Sequence, residues 1–363
     1  MKKRLTVFLA MTMIAALTGC GSKTAGSTET AATTAAATEA AVTTAAAAET
    51  SAGAASGKSE QSSESATAVR VGSLKGPTSM GLVHLMEQDE AGTAANDYDF
   101  TMVAAADELL AKVVSGDLDI ALVPANVSSV LYNKTSGGIS VIDINTLGVL
   151  YIVASDDSIQ SMTDLKGRTI YLTGKGTTPD YVLHYLLSAN GLSESDVTLE
   201  YKSEATEVAA VLKEQPDAIG LLPQPFVTAA CAQNEALKIV LDLTGEWQAV
   251  QGESGSQLVT GVTIVRNEFL ENQPDAVDAF LEEHKASADF ANDNPDEASE
   301  LIAKLGIIEK APVAKKALPY CNITCIAGED MKAALSGYLQ VLFDQDPKSV
   351  GSKLPEDTFY YIP

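Results

Sequence analysis

Strand-like and helix-like segments alternate along the chain from Val69 onward, and this alternation is the strongest constraint on the fold. The first part reads AVRVGSL, MGLVHLMEQ, YDFTMVAA, ADELLAKVVSG and LDIALVPA, so that β-rich runs precede runs with apolar residues at helical spacing. Residues 165–223 repeat the scheme with LKGRTIYLTG, TPDYVLHYLLSANG, VTLEYK, ATEVAAVLKEQ and PDAIGLLP. Because such alternation is typical of βαβ units, the sequence predicts an α/β protein with two successive units.

Two further strand-like stretches flank the second unit, LGVLYIVAS at 147–155 and LVTGVTIVR at 258–266. If the chain leaves the first unit along one and returns along the other, the second unit is an insertion. We therefore predict two lobes joined by two hinge strands. Residues 69–153 and 262–363 form a discontinuous first lobe, and residues 154–261 form the second.

The N-terminal residues 1–20 read MKKRLTVFLAMTMIAALTGC and are typical of an export signal. A basic start precedes an uncharged stretch, Leu5 to Leu17, that is short for a membrane span. The end of this segment resembles the lipobox of bacterial lipoproteins, in which the cysteine is acylated. The resemblance implies lipidation of Cys20 and an extracytoplasmic protein anchored to the cell membrane. A plain signal peptide with a chance cysteine is the alternative.

Residues 21–68 consist almost entirely of Ala, Thr, Ser, Gly and Glu and contain no aromatic residue. Such a composition cannot bury enough apolar surface to offset the entropy of ordering. The sequence therefore predicts a disordered linker, with an end-to-end distance of about 35–40 Å if it behaves as a flexible coil.

The chain is acidic, with 48 acidic and 24 basic residues and a formal charge of −24. Attraction to nucleic acid or to an anionic lipid surface is therefore not expected. Besides Cys20 there are three cysteines, Cys231, Cys321 and Cys325, and the last two form a disulfide only if their segment is a turn; free thiols are favoured. The histidines are far apart and no CxxC pair occurs, so neither a metal site nor a cofactor is expected.

Two loops that follow predicted strands share the same order of residue types. Gly76, Thr78 and His84 recur as Gly176, Thr178 and His184, each time 100 residues later. In open α/β sheets ligands bind beyond the carboxyl ends of strands, where helix N-termini present free N–H groups. We predict that both loops contact one ligand with an anionic or carbonyl-like end, through Lys75, Gly76, Pro77, Thr78, Ser79, Met80, Gly176, Thr177 and Thr178.

Simpler roles compete with this interpretation. Glycine, threonine and proline also make turns and cap helices without any ligand. Lys75 faces solvent in the commoner outcome, and His84 and His184 are expected to be packing or surface residues of their helices.

Four segments together resemble a known family over residues 69–363. They are SMTDLKGRTIYLTGKGTTPDYVLHYLLSANGL, ELLAKVVSGDLDIALVPANVSSV, PDAIGLLPQPFVTAA and the closing DPKSVGSKLPEDTFYY. The chain resembles the solute-binding proteins of ABC importers with the type II periplasmic-binding-protein fold. Within these it is similar to the nitrate, sulfonate, taurine and thiamine-pyrimidine-precursor (NMT1/THI5-like) group.

The resemblance adds three site candidates, and Trp247, the only tryptophan, is a fourth because it lies near the predicted return of the chain to the first lobe. Pro124 and Asn126 occupy a strand-to-helix turn that lines the cleft in the family, although Asn126 is an equally good helix cap. Gln224 stands between two prolines where many relatives have an acid, so recognition of a cationic group there is in doubt. Trp247 either stacks on a ring of the ligand or packs at a lobe boundary.

The resemblance implies a lipid-anchored, monomeric binding protein rather than an enzyme. It would capture a small organic solute of the sulfonate, carboxylate or heteroaromatic-precursor class in a cleft between the lobes. Its partners would be a membrane permease and the cytoplasmic ATPase that drives it. A ligand-sensing surface lipoprotein of the same fold is the alternative. A pyrimidine-synthesising enzyme is less favoured, because the cysteine-rich signature of such enzymes is absent.

Overall fold

Strands of the computed structural model, which describes residues 67–252 and 255–363, form two open sheets. The first sheet contains strands from both ends of the described chain: β1 (Ala68–Leu74), β2 (Asp97–Val103), β3 (Ile120–Pro124), β4 (Ile139–Leu147), β10 (Val259–Arg266) and β11 (Ile323–Ile326). The second contains the strands between them: β5 (Leu150–Ala154), β6 (Thr169–Thr173), β7 (Thr198–Lys202), β8 (Ile219–Pro223) and β9 (Lys238–Asp242).

Helices connect the strands and cover the sheets. In chain order they are α1 (Pro77–Met80), α2 (Val83–Glu90), α3 (Ala106–Ser115), α4 (Ala125–Lys134), α5 (Thr178–Ala189), α6 (Ala205–Glu214), α7 (Phe226–Gln233), α8 (Leu243–Gln251), α9 (Asn267–Asn272), α10 (Pro274–Asp293), α11 (Pro295–Lys304), α12 (Ala311–Ala317) and α13 (Gly328–Gln345). Short 3₁₀ turns occur at Met162–Leu165, Glu194–Asp196, Leu318–Tyr320, Pro347–Val350 and Asp357–Phe359.

The predicted α/β class and the insertion of the second unit are confirmed by the sheet order. The first sheet runs β11-β4-β10-β3-β1-β2 and the second β7-β6-β8-β5-β9. Strands β1, β2 and β3 are parallel, as are β6, β7 and β8, whereas β10 runs antiparallel to its neighbours β3 and β4. The first sheet is therefore discontinuous in sequence, and the second is built from the chain between β4 and β10.

The two proposed hinge strands differ from the prediction. β5 pairs with β8 and β9 and lies wholly in the second sheet, although residues up to 153 were assigned to the first lobe. β10 lies wholly in the first sheet, although residues 259–261 were assigned to the second lobe. The chain first passes from one sheet to the other through the two-residue connection Gly148–Val149, which we call the first crossing. The strand before this connection, β4, pairs in the first sheet, and the strand after it, β5, pairs in the second.

Apolar packing is continuous from one sheet to the other. One cluster of buried residues contains Val123 of the first sheet, Ile152 of the second and Leu335 of α13. Trp247 of α8 packs in this cluster between Tyr185 and Tyr338, with ring centroids 4.8 Å and 5.6 Å away. Helix α13 thus contributes side chains to the core beneath both sheets.

The three cysteines of the described residues are free thiols, so Cys321 and Cys325 are not bonded to each other. Cys321 is fully buried, and burial raises the pKa of its thiol to about 12. Within residues 67–252 and 255–363, the helices are too short or too polar to cross a bilayer.

Gly148 at the first crossing has no room for a side chain. A Cβ there would collide with Thr244 Oγ1 and with Leu258 Cδ2, which would lie 2.8 Å away. We expect Gly148→Ala to lower the free energy of unfolding by about 1–3 kcal/mol, because the clash must displace packed atoms. Gly245 of α8 is the matched control, since a Cβ there meets no atom within 4 Å.

We expect Gly245→Ala to raise the free energy of unfolding by about 0.5–1 kcal/mol, because glycine within a helix is less stable than alanine by that amount. Urea unfolding followed by circular dichroism measures both variants. Equal stability of the two variants would contradict the close packing of the crossing.

Candidate functional site

The loop after β1 is held in a tight conformation by its own side chains. Gly76 has φ = +140°, which only glycine adopts readily, and it stands just before Pro77 at the start of α1. The Thr78 hydroxyl donates to the carbonyl of Leu74 at 2.9 Å, and the Lys75 N–H donates to the carbonyl of Val103. The loop therefore presents a fixed surface at the carboxyl end of the first sheet.

The loop after β6 is built in the same way at the carboxyl end of the second sheet. Gly176 has φ = +73°, and the Thr177 hydroxyl donates to the carbonyl of Gly174. The Gly176 N–H donates to the Asp180 carboxylate at 2.7 Å, so this donor is occupied within the loop. Thr178 opens α5, a twelve-residue helix.

These two loops line one cavity of about 440 Å³. Its walls come from the ends of β1, β3 and β8, from the starts of α4 and α5, from the first crossing and from β10. The lining residues are Leu74, Lys75, Gly76, Pro77, Thr78, Pro124, Asn126, Val127, Val149, Leu150, Thr177, Thr178, Pro179, Pro223 and Thr260.

Eight of the thirteen residues predicted to contact the ligand line this cavity. They are Lys75, Gly76, Pro77, Thr78, Pro124, Asn126, Thr177 and Thr178. The two threonines that are 100 residues apart thus lie on opposite walls of the same space. An Asn126–Thr178 contact links these walls, with Thr178 Oγ1 3.5 Å from Asn126 Oδ1.

Ser79 and Met80 point away from the cavity, contrary to the prediction. The Ser79 hydroxyl is fully buried and donates to the Leu74 carbonyl. Met80 is also fully buried, in an apolar cluster with Val83 and Ile323. The helical turn that starts at Pro77 rotates these two side chains into the protein.

Gly176, Gln224 and Trp247 are likewise absent from the cavity wall. The amide N–H of Gly176 is taken by Asp180, and Gln224 is buried with its side-chain oxygen accepting from the hydroxyl and N–H of Thr228. Trp247 is completely buried, so the packing alternative is the correct one. Cys20, the predicted lipidation site, lies outside the described residues.

Seven lining residues were not predicted. Leu74, Pro179 and Pro223 adjoin predicted strand ends or the second loop, so the same strand-end rule indicated their position. Val127, Val149 and Leu150 are apolar and have no local sequence signal that distinguishes them from core residues. Thr260 lies on β10. This strand reaches the cavity because it pairs with β3, and the whole inserted unit lies between these two strands in the sequence.

The cavity wall is uncharged except for one lysine. None of the fifteen lining residues is acidic or aromatic, and Lys75 is an exposed side chain for which no ion pair occurs among the described residues. Hydroxyl groups of Thr78, Thr178 and Thr260 and the amide of Asn126 add hydrogen-bonding capacity. The arrangement suits a small ligand with an apolar body and an anionic or carbonyl end.

The two histidines that recur 100 residues apart, His84 on α2 and His184 on α5, have structural roles. His84 stacks on Phe290 with ring centroids 4.1 Å apart. His184 lies beside Asp180, Nε2 to Oδ1 3.1 Å, on a separate surface groove. Asp180 also accepts a hydrogen bond from Tyr201, and burial together with this carboxylate raises the pKa of the tyrosine above its usual value.

Comparison with known proteins agrees with this architecture. Residues 137–298 match the NMT1/THI5-like family model. A Brucella abortus protein, named only as a binding protein, is 26% identical over 187 residues, which are 52% of this chain. The match spans 56% of the length of that relative.

Solved structures share the fold over most of the chain. An ABC transporter protein from Parabacteroides distasonis aligns with a TM-score of 0.68 and 24% identity, covering 82% of this chain and 99% of that protein. The periplasmic aliphatic sulphonate-binding protein SsuA of Escherichia coli aligns with a TM-score of 0.64 and 17% identity, over 82% and 92% of the two chains.

The resemblance predicted from the sequence is therefore confirmed: the chain has the two-sheet fold of the periplasmic solute-binding proteins and matches the NMT1/THI5-like family over residues 137–298.

Proposed function

We propose that this protein is the solute-binding component of an ABC importer and holds its solute in the cavity between the two sheets. The supporting observation is the cavity itself, since its walls come from the carboxyl ends of strands of both sheets. A ligand there touches residues from the two parts of the chain at once. Its binding energy can therefore hold the two lobes together.

The wall chemistry favours an anionic solute with an aliphatic body. Lys75 supplies a positive charge, four prolines and the residues Val127, Val149 and Leu150 supply apolar surface, and no lining residue offers an aromatic face for stacking. Among the three predicted solute classes, sulfonates and carboxylates fit this wall better than heteroaromatic precursors. The E. coli relative is named for aliphatic sulphonates, which agrees with this preference.

Asn126 and Thr178 contact each other across the cleft, one from each wall. In the present structure their side-chain oxygens lie 3.5 Å apart, and the Asn126 amide donates to the Ser349 carbonyl at 3.2 Å. Asn126 is thus anchored to the C-terminal segment while it faces the other wall. We assign to this contact the role of holding residues 154–261 against the rest when the cleft is closed.

The protein acts outside the cytoplasmic membrane, tethered through a lipid on Cys20 by the linker of residues 21–68. In the closed state it docks as a monomer on a permease that a cytoplasmic ATPase drives. It binds its solute without converting it, as expected for a chain whose named relatives are binding proteins.

Removal of the two facing hydroxyls should weaken binding of the solute. We expect Thr78→Val and Thr178→Val each to weaken binding about 3- to 10-fold, because each loses one hydrogen bond of about 0.5–1.5 kcal/mol. A ligand is first found by thermal shift with the full chain against aliphatic sulfonates, carboxylates and pyrimidines. When the concentration of free ligand is 100 times its Kd, binding adds about 2.7 kcal/mol to the free energy of unfolding.

Thr198→Val is the matched control, because Thr198 is exposed on β7 and is not part of the cavity wall. Isothermal titration calorimetry of the three variants gives the Kd values. Unchanged affinity in both cavity variants would show that the solute binds elsewhere, and a full absence of thermal shifts would contradict the proposed function.

Neutralisation of Lys75 should affect anionic solutes alone. We expect Lys75→Gln to weaken an anionic solute about 3- to 10-fold at low salt and less at high salt, since an exposed charge pair is screened. Lys175→Gln is the control: this lysine has the corresponding place in the second loop but lies over the Tyr201 ring, 5.1 Å from its centroid.

Titrations at two salt concentrations separate the variants. Equal losses for Lys75→Gln and Lys175→Gln, or a loss without salt dependence, would contradict a role of Lys75 in charge recognition.

Replacement of the predicted lipidation site should free the protein from the membrane. We expect Cys20→Ala to move the protein from the membrane fraction to the soluble fraction and to abolish labelling by a palmitate analogue, because acyl chains provide the attachment. Cys231→Ser keeps Cys20 and is the control. Continued labelling of Cys20→Ala would contradict the lipoprotein assignment.

A further inference from the structure

Three potential metal ligands meet where α10 packs against β4 and β11 of the first sheet. Asp143 lies on β4, His284 on α10 and Cys325 on β11. One ligand atom from each, a carboxylate oxygen, an imidazole nitrogen and the sulfur, lies within 4.8 Å of the other two. Residues far apart in sequence thus form one compact cluster, which the cavity and the proposed function do not use.

Asp143 and His284 are both completely buried. His284 Nδ1 lies 3.1 Å from Asp143 Oδ2, and the Thr263 hydroxyl donates to Asp143 Oδ1 at 2.8 Å. An ionised carboxylate in such a place needs a compensating positive charge or several donors. The other ring nitrogen of His284, Nε2, has no hydrogen-bond partner among the described residues.

Gly81, at the end of α1, lies close to this histidine. A Cβ at Gly81 would lie 3.6 Å from His284 Nε2 and 3.1 Å from Ile323 Cγ2. Gly81 has φ = −70°, a conformation that every residue adopts, so the backbone itself does not require glycine.

One member of the cluster lies at the edge of the first sheet. Cys325 is only partly buried, on strand β11 at the edge of the sheet. The nearby Lys285 side chain is paired with Asp289 at 2.7 Å and stays exposed. Cys325 is therefore the most exposed member of the cluster.

We propose that Asp143, His284 and Cys325 bind a transition-metal ion of the zinc class, with water or a further donor in the fourth position. Zinc prefers sulfur, nitrogen and oxygen ligands in tetrahedral sites, with bonds of about 2.0–2.3 Å. Tetrahedral bonds of that length place nitrogen and oxygen ligands about 3.3 Å apart, close to the 3.1 Å between His284 Nδ1 and Asp143 Oδ2.

The ligand types exclude the common hard cations. Magnesium and calcium bind oxygen ligands almost exclusively, whereas a thiolate and an imidazole select zinc, cobalt, nickel or copper. Binding replaces the proton of the Cys325 thiol by the metal and releases that proton to solvent. The ion would then join β4, β11 and α10 and stiffen the sheet directly behind α1.

The test is a titration of the purified, metal-free full chain with Co²⁺, followed by competition with Zn²⁺. We expect one ion per chain and a near-ultraviolet charge-transfer band that reports a cobalt–thiolate bond. Cys325→Ser should abolish this band and weaken zinc binding about 100-fold or more, and Asp143→Asn should weaken it about 10- to 100-fold.

Cys321→Ser is the matched control, because Cys321 lies four residues earlier in the same segment but outside the cluster. It should retain the band and the affinity. The many exposed carboxylates of this acidic chain bind divalent ions weakly, but they produce no thiolate band. Circular dichroism checks that each variant is folded.

Two results would overturn the proposal. One is the lack of a stoichiometric thiolate band in the folded protein, which would leave the cluster as a buried aspartate–histidine pair. The other is an equal effect of Cys321→Ser and Cys325→Ser. Neither result bears on solute binding, since the cavity residues are different ones.

Discussion

Strand β10 pairs with both β3 and β4, and the rest of the architecture depends on this double pairing. β4 precedes the inserted unit and β10 follows it, so the insertion begins and ends beside one pair of neighbouring strands. The pairing also places Thr260 and Gly261 against the first loop. A Cβ at Gly261 would lie 2.8 Å from Thr78 Cγ2, so the strand and the cavity loop are in direct contact. One wall of the cavity therefore depends on a contact with a strand that follows the whole second sheet in the chain.

The same strand pair holds the polar groups that make the interior of the first sheet unusual. Thr263 of β10 donates to Asp143 of β4 and receives a hydrogen bond from Asn145, and all three side chains are buried. Buried polar groups are costly unless they are paired, so these hydrogen bonds favour one register of β10 on β4. A metal ion bound at Asp143 would reinforce the same register, because it would add bonds from α10 and β11.

The sequence was sufficient for the fold class because its strands and helices have clear local periods. The parallel units were predicted from alternation alone, and the insertion from two flanking stretches. Strand β4 was missed, since Ser140, Asp143, Asn145 and Thr146 interrupt the apolar pattern although all four are buried. Pairing with β10 and β11 stabilises these residues in the sheet, and such long-range pairing leaves no local signal.

The sequence indicated which loops line the cavity, but not the direction in which each of their side chains points. Gly76 and Thr178, from the loops that follow β1 and β6, line the cavity. Ser79 and Met80 are fully buried instead, because one helical turn directs them inward. The cluster of Asp143, His284 and Cys325 was also missed, and sequence separation was the wrong criterion for it, since three elements bring these residues together.

The two loops repeat one pattern but do not contribute equally to the cavity. In the second loop Asp180 lies in the first turn of α5 and accepts the Gly176 N–H, so its negative charge offsets the positive end of the helix dipole. The first loop has no acid in the corresponding turn, and its lysine lines the cavity while Lys175 lies over Tyr201. The positive potential in the cleft therefore comes from the first loop, whereas the second contributes hydroxyl groups. Such a division favours a solute that lies with its charged end toward the first sheet and its hydrogen-bonding or apolar end toward the second.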